Sequence, residues 1–348
     1  MTTRTSTKLA PKPRAKRAAG KSDAPRTIPD TMRAAAIDRF GGVRQLTIHT
    51  LPVPTPKADE VLIELHAAGV GAWDAEIRNG DYAKGNEHFP KVLGLDGAGV
   101  VVARGKSVRR LEIDEPVWSY SYDGAREGFY AEYVAVKAKE VARAPRTLSL
   151  YEAGAGAATG LTAVQGVDDH LEVRRGNTVL VFGATGAVGT LAVQFARRHG
   201  AHVIATASGE SAAQSMRDLG AEHVIDARAP GAADRLRDFA PKGLHGIFAL
   251  VGGDVLEQCA DQLVDDGRLA YPNGVTPEIR KRKNVRVIAF DAISGPEELR
   301  RLSRAVADAK LRVVIAESFP LTQAAKAHER LESGHVLGRI VLKIRLAL

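Results

Sequence analysis

Cysteine is all but missing: Cys259 is the only one among 348 residues. One thiol closes no intrachain disulfide and excludes a multi-cysteine zinc lobe, and it fits a reducing cytoplasm, the expected location. Long apolar runs are missing too. None approaches the ~18 uninterrupted residues of a membrane span, so no membrane partner is expected. The N-terminus also has no apolar core of the kind a secretory signal carries.

What is present reads as an ordinary globular chain, 45% hydrophobic and 26% charged, long enough for two domains. The net charge of +8 is unevenly placed. Residues 1–30 hold eight Lys and Arg against Asp23 and Asp30, which leaves +6 of the +8 in the tail. A segment this basic, with almost no large apolar residues, cannot offset its ordering entropy by burial, so residues 1–31 are expected to be a disordered basic tail. Nucleic acid or another polyanion is expected as a partner only through that tail. Acids are absent before Asp23, as in an organelle transit peptide, whereas Pro11 and Pro13 interrupt the amphipathic helix such a peptide needs.

The most informative stretch is 178–189, Thr-Val-Leu-Val-Phe-Gly-Ala-Thr-Gly-Ala-Val-Gly. An apolar run breaks into a glycine-rich turn and is followed by an amphipathic segment, the order strand, tight turn, helix. In G-x-G-x-x-G form the turn reads Ala184-Thr185-Gly186-Ala187-Val188-Gly189, with its first glycine replaced and an extra Gly183 before it. Gly186 lets backbone approach a pyrophosphate, Gly189 lets helix pack on strand, and the first-turn amides face the anion. A second apolar strand, His202 to Ser208, ends where this arrangement places its ribose-recognising residue. A dinucleotide site follows.

From Met32 to Val136 the pattern is short strands broken by glycine and proline, a mainly-β unit. After Leu150 strands alternate with helices, which specifies a doubly wound parallel sheet. The strand Val285–Phe290, the helix Pro296–Lys310 and the strand Arg339–Ile344 close the chain.

Several motifs in this order resemble the medium-chain dehydrogenase/reductase superfamily, in its zinc-independent, zeta-crystallin-like quinone oxidoreductase branch. They include His66-Ala67-Ala68-Gly69-Val70, Arg78-Asn79-Gly80-Asp81-Tyr82, Gly94-Leu95-Asp96-Gly97-Ala98-Gly99, Ala158-Thr159-Gly160-Leu161-Thr162-Ala163 and Gly338-Arg339-Ile340-Val341-Leu342. The resemblance covers residues 32–348. It implies an α/β protein with a GroES-like catalytic domain (32–155 and 286–348) around a Rossmann NADP-binding domain (156–285), assembled as a homodimer. An exposed Rossmann edge strand over Val285–Phe290 agrees with dimer formation.

The zinc-dependent branch carries Cys before an Asp, and later Gly-His-Glu. Here those places read Gly71-Ala72-Trp73-Asp74 and Gly94-Leu95-Asp96, and Asp96 stands without a Cys or His at liganding spacing, so no metal is expected. The resemblance implies hydride transfer from NADPH to a quinone or an α,β-unsaturated carbonyl compound. It makes Tyr82 the donor near the acceptor oxygen, with Tyr120 and Tyr122 behind it, and places Thr159 and Thr162 near the nicotinamide. Val251 and Arg339 join the cofactor contacts on the same ground. Two departures stand out: Gly71 replaces the family's Asn, and Glu76 stands where some relatives have Tyr. These leave a second reading open, a catalytically weak NADPH-binding protein whose basic tail engages nucleic acid or an acidic partner.

NADPH is expected rather than NADH because the second strand ends Thr206-Ala207-Ser208-Gly209, with no carboxylate to repel a 2′-phosphate. Ser208 can donate to the phosphate. Glu210 is the nearest opposing charge, and Arg228, after the third strand, is the expected cation.

Overall fold

The computed structural model describes residues 27–122 and 128–345. Residues 1–26 of the expected basic tail lie outside the described residues. Within the described chain, Thr31 already opens a strand, Thr31–Ile37.

Two bodies share one long cleft. The C-terminal body is a six-stranded sheet, paired in parallel throughout. From edge to edge its strands are His223–Ile225, His202–Thr206, Thr178–Phe182, Leu244–Ala249, Leu263–Pro272 and Arg286–Phe290. Numbered by sequence this is the 3-2-1-4-5-6 order of a dinucleotide fold. The order reverses between Thr178–Phe182 and Leu244–Ala249, so a crevice opens at their carboxyl ends. Central strands such as Val179–Phe182 are fully apolar because helices cover both faces. The sheet runs past the expected domain boundary at 285, since Arg286–Phe290 hydrogen-bonds to Leu263–Pro272 and leaves its other edge open. The helix Asp254–Ala260 leads directly into the long strand Leu263–Pro272.

The N-terminal body contains a three-stranded sheet and a seven-stranded one. The second is centred on the buried strand Glu60–Val70, flanked by Asp96–Arg104, Tyr133–Lys137 and the chain's last strand, Arg339–Lys343. The C-terminus thus returns to complete this domain.

One helix joins the bodies. Leu150–Gln165 starts at Ser149, whose backbone N–H donates to the Glu152 carboxylate (2.7 Å) in a capping box. It packs on strands of the seven-stranded sheet and on the helix Ala187–Arg198 of the other body, and is buried along most of its length. The expected boundary at 155/156 therefore falls inside a continuous helix. A second seam lies across the cleft. The Gly338 N–H donates to the Thr185 carbonyl (2.8 Å), so the residue before the last strand bridges to the glycine turn at Gly186.

Candidate active site

The glycine turn joins the strand Thr178–Phe182 to a helix, the order its sequence predicts. The helix Ala187–Arg198 begins directly after Gly186, which presents the first-turn amides at the crevice. A Cβ on Gly189 would stand 2.5 Å from the Gly183 carbonyl oxygen and 2.6 Å from the Ala184 Cα, so only glycine allows this close packing of helix on turn. At Gly186 the nearest atom to such a Cβ is 3.6 Å away: its bareness leaves room on the open side. Gly183, Thr185, Gly186, Ala187, Val188 and Gly189 all line a groove of about 770 Å³. Ala184 does not. Its methyl is fully buried in the apolar core beneath the turn, so it supports the groove without facing it. A groove of this volume, a bare Gly186 and free helix-end amides together fit a dinucleotide phosphate.

At the far end of the groove Ser208, Arg228 and His335 come together. The Ser208 hydroxyl donates to Asp226 (2.6 Å), which also accepts the Arg228 backbone N–H (2.9 Å). The Arg228 guanidinium donates to His335 Nε2 (2.8 Å). The expected caution, Glu210, is occupied elsewhere: its carboxylate pairs with Arg217 (2.7 Å). The carboxylate beside Ser208 is Asp226, just past the strand His223–Ile225. It does not line the groove and ties Ser208 and Arg228 in place from behind. The hydrogen bond from Ser208 and the Arg228 N–H hold its pKa below the ordinary value.

Toward the other end, the groove opens into an inner cavity of about 350 Å³. Gly71, Thr159, Val188, Val251 and Arg339 line both. Val251 follows the strand Leu244–Ala249, at the point where the strand order reverses. Thr159 and Thr162 sit one turn apart on the joining helix, and each hydroxyl donates to a carbonyl four residues back (3.0 Å). Thr159 reaches both spaces; Thr162 lines the inner cavity alone.

Tyr82 is not in the inner cavity. It is 43% exposed, lines an adjoining hollow, and its hydroxyl donates to Glu76 (3.1 Å). Partial burial and that carboxylate push its pKa up to about 12. Trp73 stands between, its ring centroid 6.4 Å from that of Tyr82 and 5.9 Å from that of Tyr122. The tyrosine that does line the inner cavity is Tyr120, largely buried, its pKa raised by burial.

The inner wall holds charge that sequence reading left unconnected. Asp96, fully buried, accepts from Arg339 Nη2 (2.9 Å) and from the Ala158 N–H (3.0 Å). The Arg339 guanidinium lies against two glycines. A Cβ on Gly69 would be 2.7 Å from its Nη2, and one on Gly71 would be 2.8 Å from its Nη1. A side chain at 71, such as the Asn that the resemblance implies there, would need space that the arginine fills. Asp74, 2% exposed, is the third charged group. It lies in the first turn of the helix Ala72–Asn79 and accepts the Gly71 N–H (2.8 Å). Burial drives its pKa up to about 7 against the opposing pull of Arg339. Asp96 is raised by the same cause. Among the described residues no three His, Cys, Asp or Glu side chains converge as a metal ion requires.

Comparison with known proteins agrees with this architecture. Residues 57–146 match the family described as alcohol dehydrogenase GroES-like domain, and residues 219–342 match that described as zinc-binding dehydrogenase. The quinone oxidoreductase of Coxiella burnetii is 32% identical, with a TM-score of 0.79 over 90% of this chain and all of that one. The Escherichia coli quinone oxidoreductase complexed with NADPH is 25% identical, with a TM-score of 0.81 over the same shares. An NADPH-dependent alkenal/one oxidoreductase of Arabidopsis thaliana chloroplasts is 28% identical over 91% of this chain and 80% of its own length.

Proposed function

We propose that this chain, which belongs to the medium-chain dehydrogenase/reductase superfamily, is an NADPH-dependent oxidoreductase that reduces a quinone or an α,β-unsaturated carbonyl compound. One observation carries the reading. A small inner cavity with an ionised wall opens directly onto a dinucleotide groove at the switch point of a parallel sheet, the place where such folds bind ligands. Its relatives include proteins named for quinone and for alkenal/one reduction, and one solved in complex with NADPH.

The amides of Ala187 and Val188, in the first turn of the helix, are suited to the pyrophosphate. Ser208 and Arg228, with His335 beside them, are suited to the 2′-phosphate. Thr159, Val251 and Arg339, which face both spaces, would hold the nicotinamide side. When bound, NADPH supplies the hydride. The chain's own part is to seat the acceptor in the inner cavity, keep bulk water out and answer the charge that develops on the acceptor's oxygen. Arg339 and Tyr120 are placed for that last task, and Tyr82 stands too far out.

The test is NADPH oxidation against a panel of quinones, enals and enones, run beside equilibrium binding of NADPH and NADH. Turnover with NADPH preferred supports the reading. Stoichiometric NADPH binding without turnover of any acceptor would instead make the chain a cofactor-binding protein.

A further inference from the structure

We propose that Trp73 sets the size of the acceptor, so that the inner cavity takes a compact conjugated carbonyl compound, a single-ring quinone or a small enone, lying against the indole. The proposal rests on the oxidoreductase reading above and narrows it to a size class.

The cavity is small for its task. At about 350 Å³ it lies near the lower end of the ~300–1,000 Å³ that ligand sites span. Thr159, Val188, Val251 and Arg339 line both this cavity and the dinucleotide groove. The hydride-bearing ring of the cofactor must therefore take part of the space. What remains suits one ring or a short chain.

Trp73 bounds that remainder on one side. It stands in the first turn of the helix Ala72–Asn79 and lines the inner cavity. Its indole reaches the loop that follows the strand Leu263–Pro272 in the other body. A Cβ built on Gly274 would lie 3.8 Å from the Trp73 Nε1, so the gap between indole and loop has room for no more than a methyl group. The side chain thus spans the cleft from one body to the other.

Both ends of the span are held. On the loop side, the Asn273 N–H donates to the Phe290 carbonyl (2.9 Å), and its side-chain amide donates to Asp291 (2.8 Å). On the helix side, the rings of Tyr122 and Tyr82 back the indole, Tyr122 in an edge-to-face contact at 72°. Tyr82 is fixed in turn by its hydrogen bond to Glu76, one turn further along the helix that carries Trp73. Tyr82 and Glu76 therefore brace the indole. Both tyrosines line the adjoining hollow of about 500 Å³, and neither lines the inner cavity. The inner cavity lies on the indole's side of this aromatic wall and the hollow on the tyrosines' side. A bulkier acceptor could extend in that direction only where the indole is cut back.

The experiment uses the full-length protein and its Trp73→Phe and Trp73→Ala variants. Two series of growing bulk serve as acceptors: benzoquinone, naphthoquinone and phenanthrenequinone, then cyclohexenone, phenylbutenone and chalcone. The quantity read is kcat/KM for the largest member divided by that for the smallest, which is insensitive to a general loss of activity. Trp73→Ala should raise this ratio by ~10–200-fold over the native protein, the discrimination an apolar pocket achieves by bulk, and Trp73→Phe should fall between. A ratio unchanged in both variants overturns the proposal. Binding is read apart from turnover from tryptophan emission with NADP⁺ present, since Trp73 and the fully buried Trp118 are the chain's two tryptophans. Cyclohexenone should change the emission saturably in the native protein and leave that of Trp73→Phe unaltered. No saturable change in the native protein overturns the proposal even where the variants fail to fold. A saturable change without turnover of any acceptor would overturn the oxidoreductase reading alone.

Discussion

Replacing Gly71 by alanine adds a single methyl and should be costly for one identifiable reason. The Gly71 backbone lies at φ −136°, ψ 168°, an extended conformation open to any residue, so no conformational penalty is involved. The obstacle is the Arg339 guanidinium, whose Nη1 and Cζ would lie 2.8 and 3.3 Å from the new carbon. The end of an arginine ordinarily swings aside at little cost. This one is 11% exposed, lies against Gly69 as well, and is paired with fully buried Asp96. Overpacking of this kind costs about 1–3 kcal/mol, rising toward ~3–5 kcal/mol where the buried pair parts. The assay is a double-mutant cycle read by urea unfolding. Arg339→Ala should be strongly destabilising by itself, since it leaves Asp96 unpaired. Gly71→Ala should cost about 1–3 kcal/mol in the native background and close to nothing after Arg339→Ala, a coupling of the same size. Equal costs in both backgrounds would refute the steric account and return the missing Asn to an unexplained departure.

The other expectations are briefer. Arg228→Ala should weaken NADPH binding by about ten- to a hundredfold, the ~1.5–3 kcal/mol of a charge-assisted phosphate contact, and leave NADH nearly unchanged; equal weakening of both in titration would remove Arg228 from the 2′-phosphate site. Deleting residues 1–26 should leave the melting temperature unchanged and abolish any salt-sensitive polyanion binding; a large drop in stability would mean that the tail packs on the body. The open edge at Arg286–Phe290 should pair with a second copy, giving a dimeric mass in light scattering at micromolar concentration. A monomer at that concentration counts against it.

The dinucleotide half was legible because local rules govern it. The apolar run Val179–Phe182, the glycines and the alternation of strand and helix each report on neighbours in sequence, and the structure assembles them in the expected order. Two of the gaps involve distance along the chain. Asp96 read as a lone carboxylate because its partner, Arg339, is 243 residues away. The Arg78–His328 contact spans 250 residues, and no spacing rule reaches it. Tyr82 looked like an oxygen donor from its motif, but no motif records that Glu76, on the preceding helix, takes its hydroxyl. Ala184 belonged to the fingerprint as text, and only packing reveals that it faces the core. A signal for the buried acids was present all the same. Asp74 and Asp96 each adjoin an apolar strand, His66–Val70 and Gly97–Val101, where an acid is unusual unless it is used or paired.

The short bridge between Gly186 and Gly338 acts as a hinge pin. The turn that would receive the phosphates and the arginine that walls the inner cavity are separated by one hydrogen bond and one peptide unit, Thr185 to Gly338 to Arg339. The two bodies cannot gape along this seam without breaking that bond, so any opening that admits an acceptor has to occur away from it, along the part of the inner cavity lined by Trp73, Thr276 and Asp291. Because Arg339 directly follows Gly338, the same bond ties the wall of the inner cavity to the glycine turn of the groove.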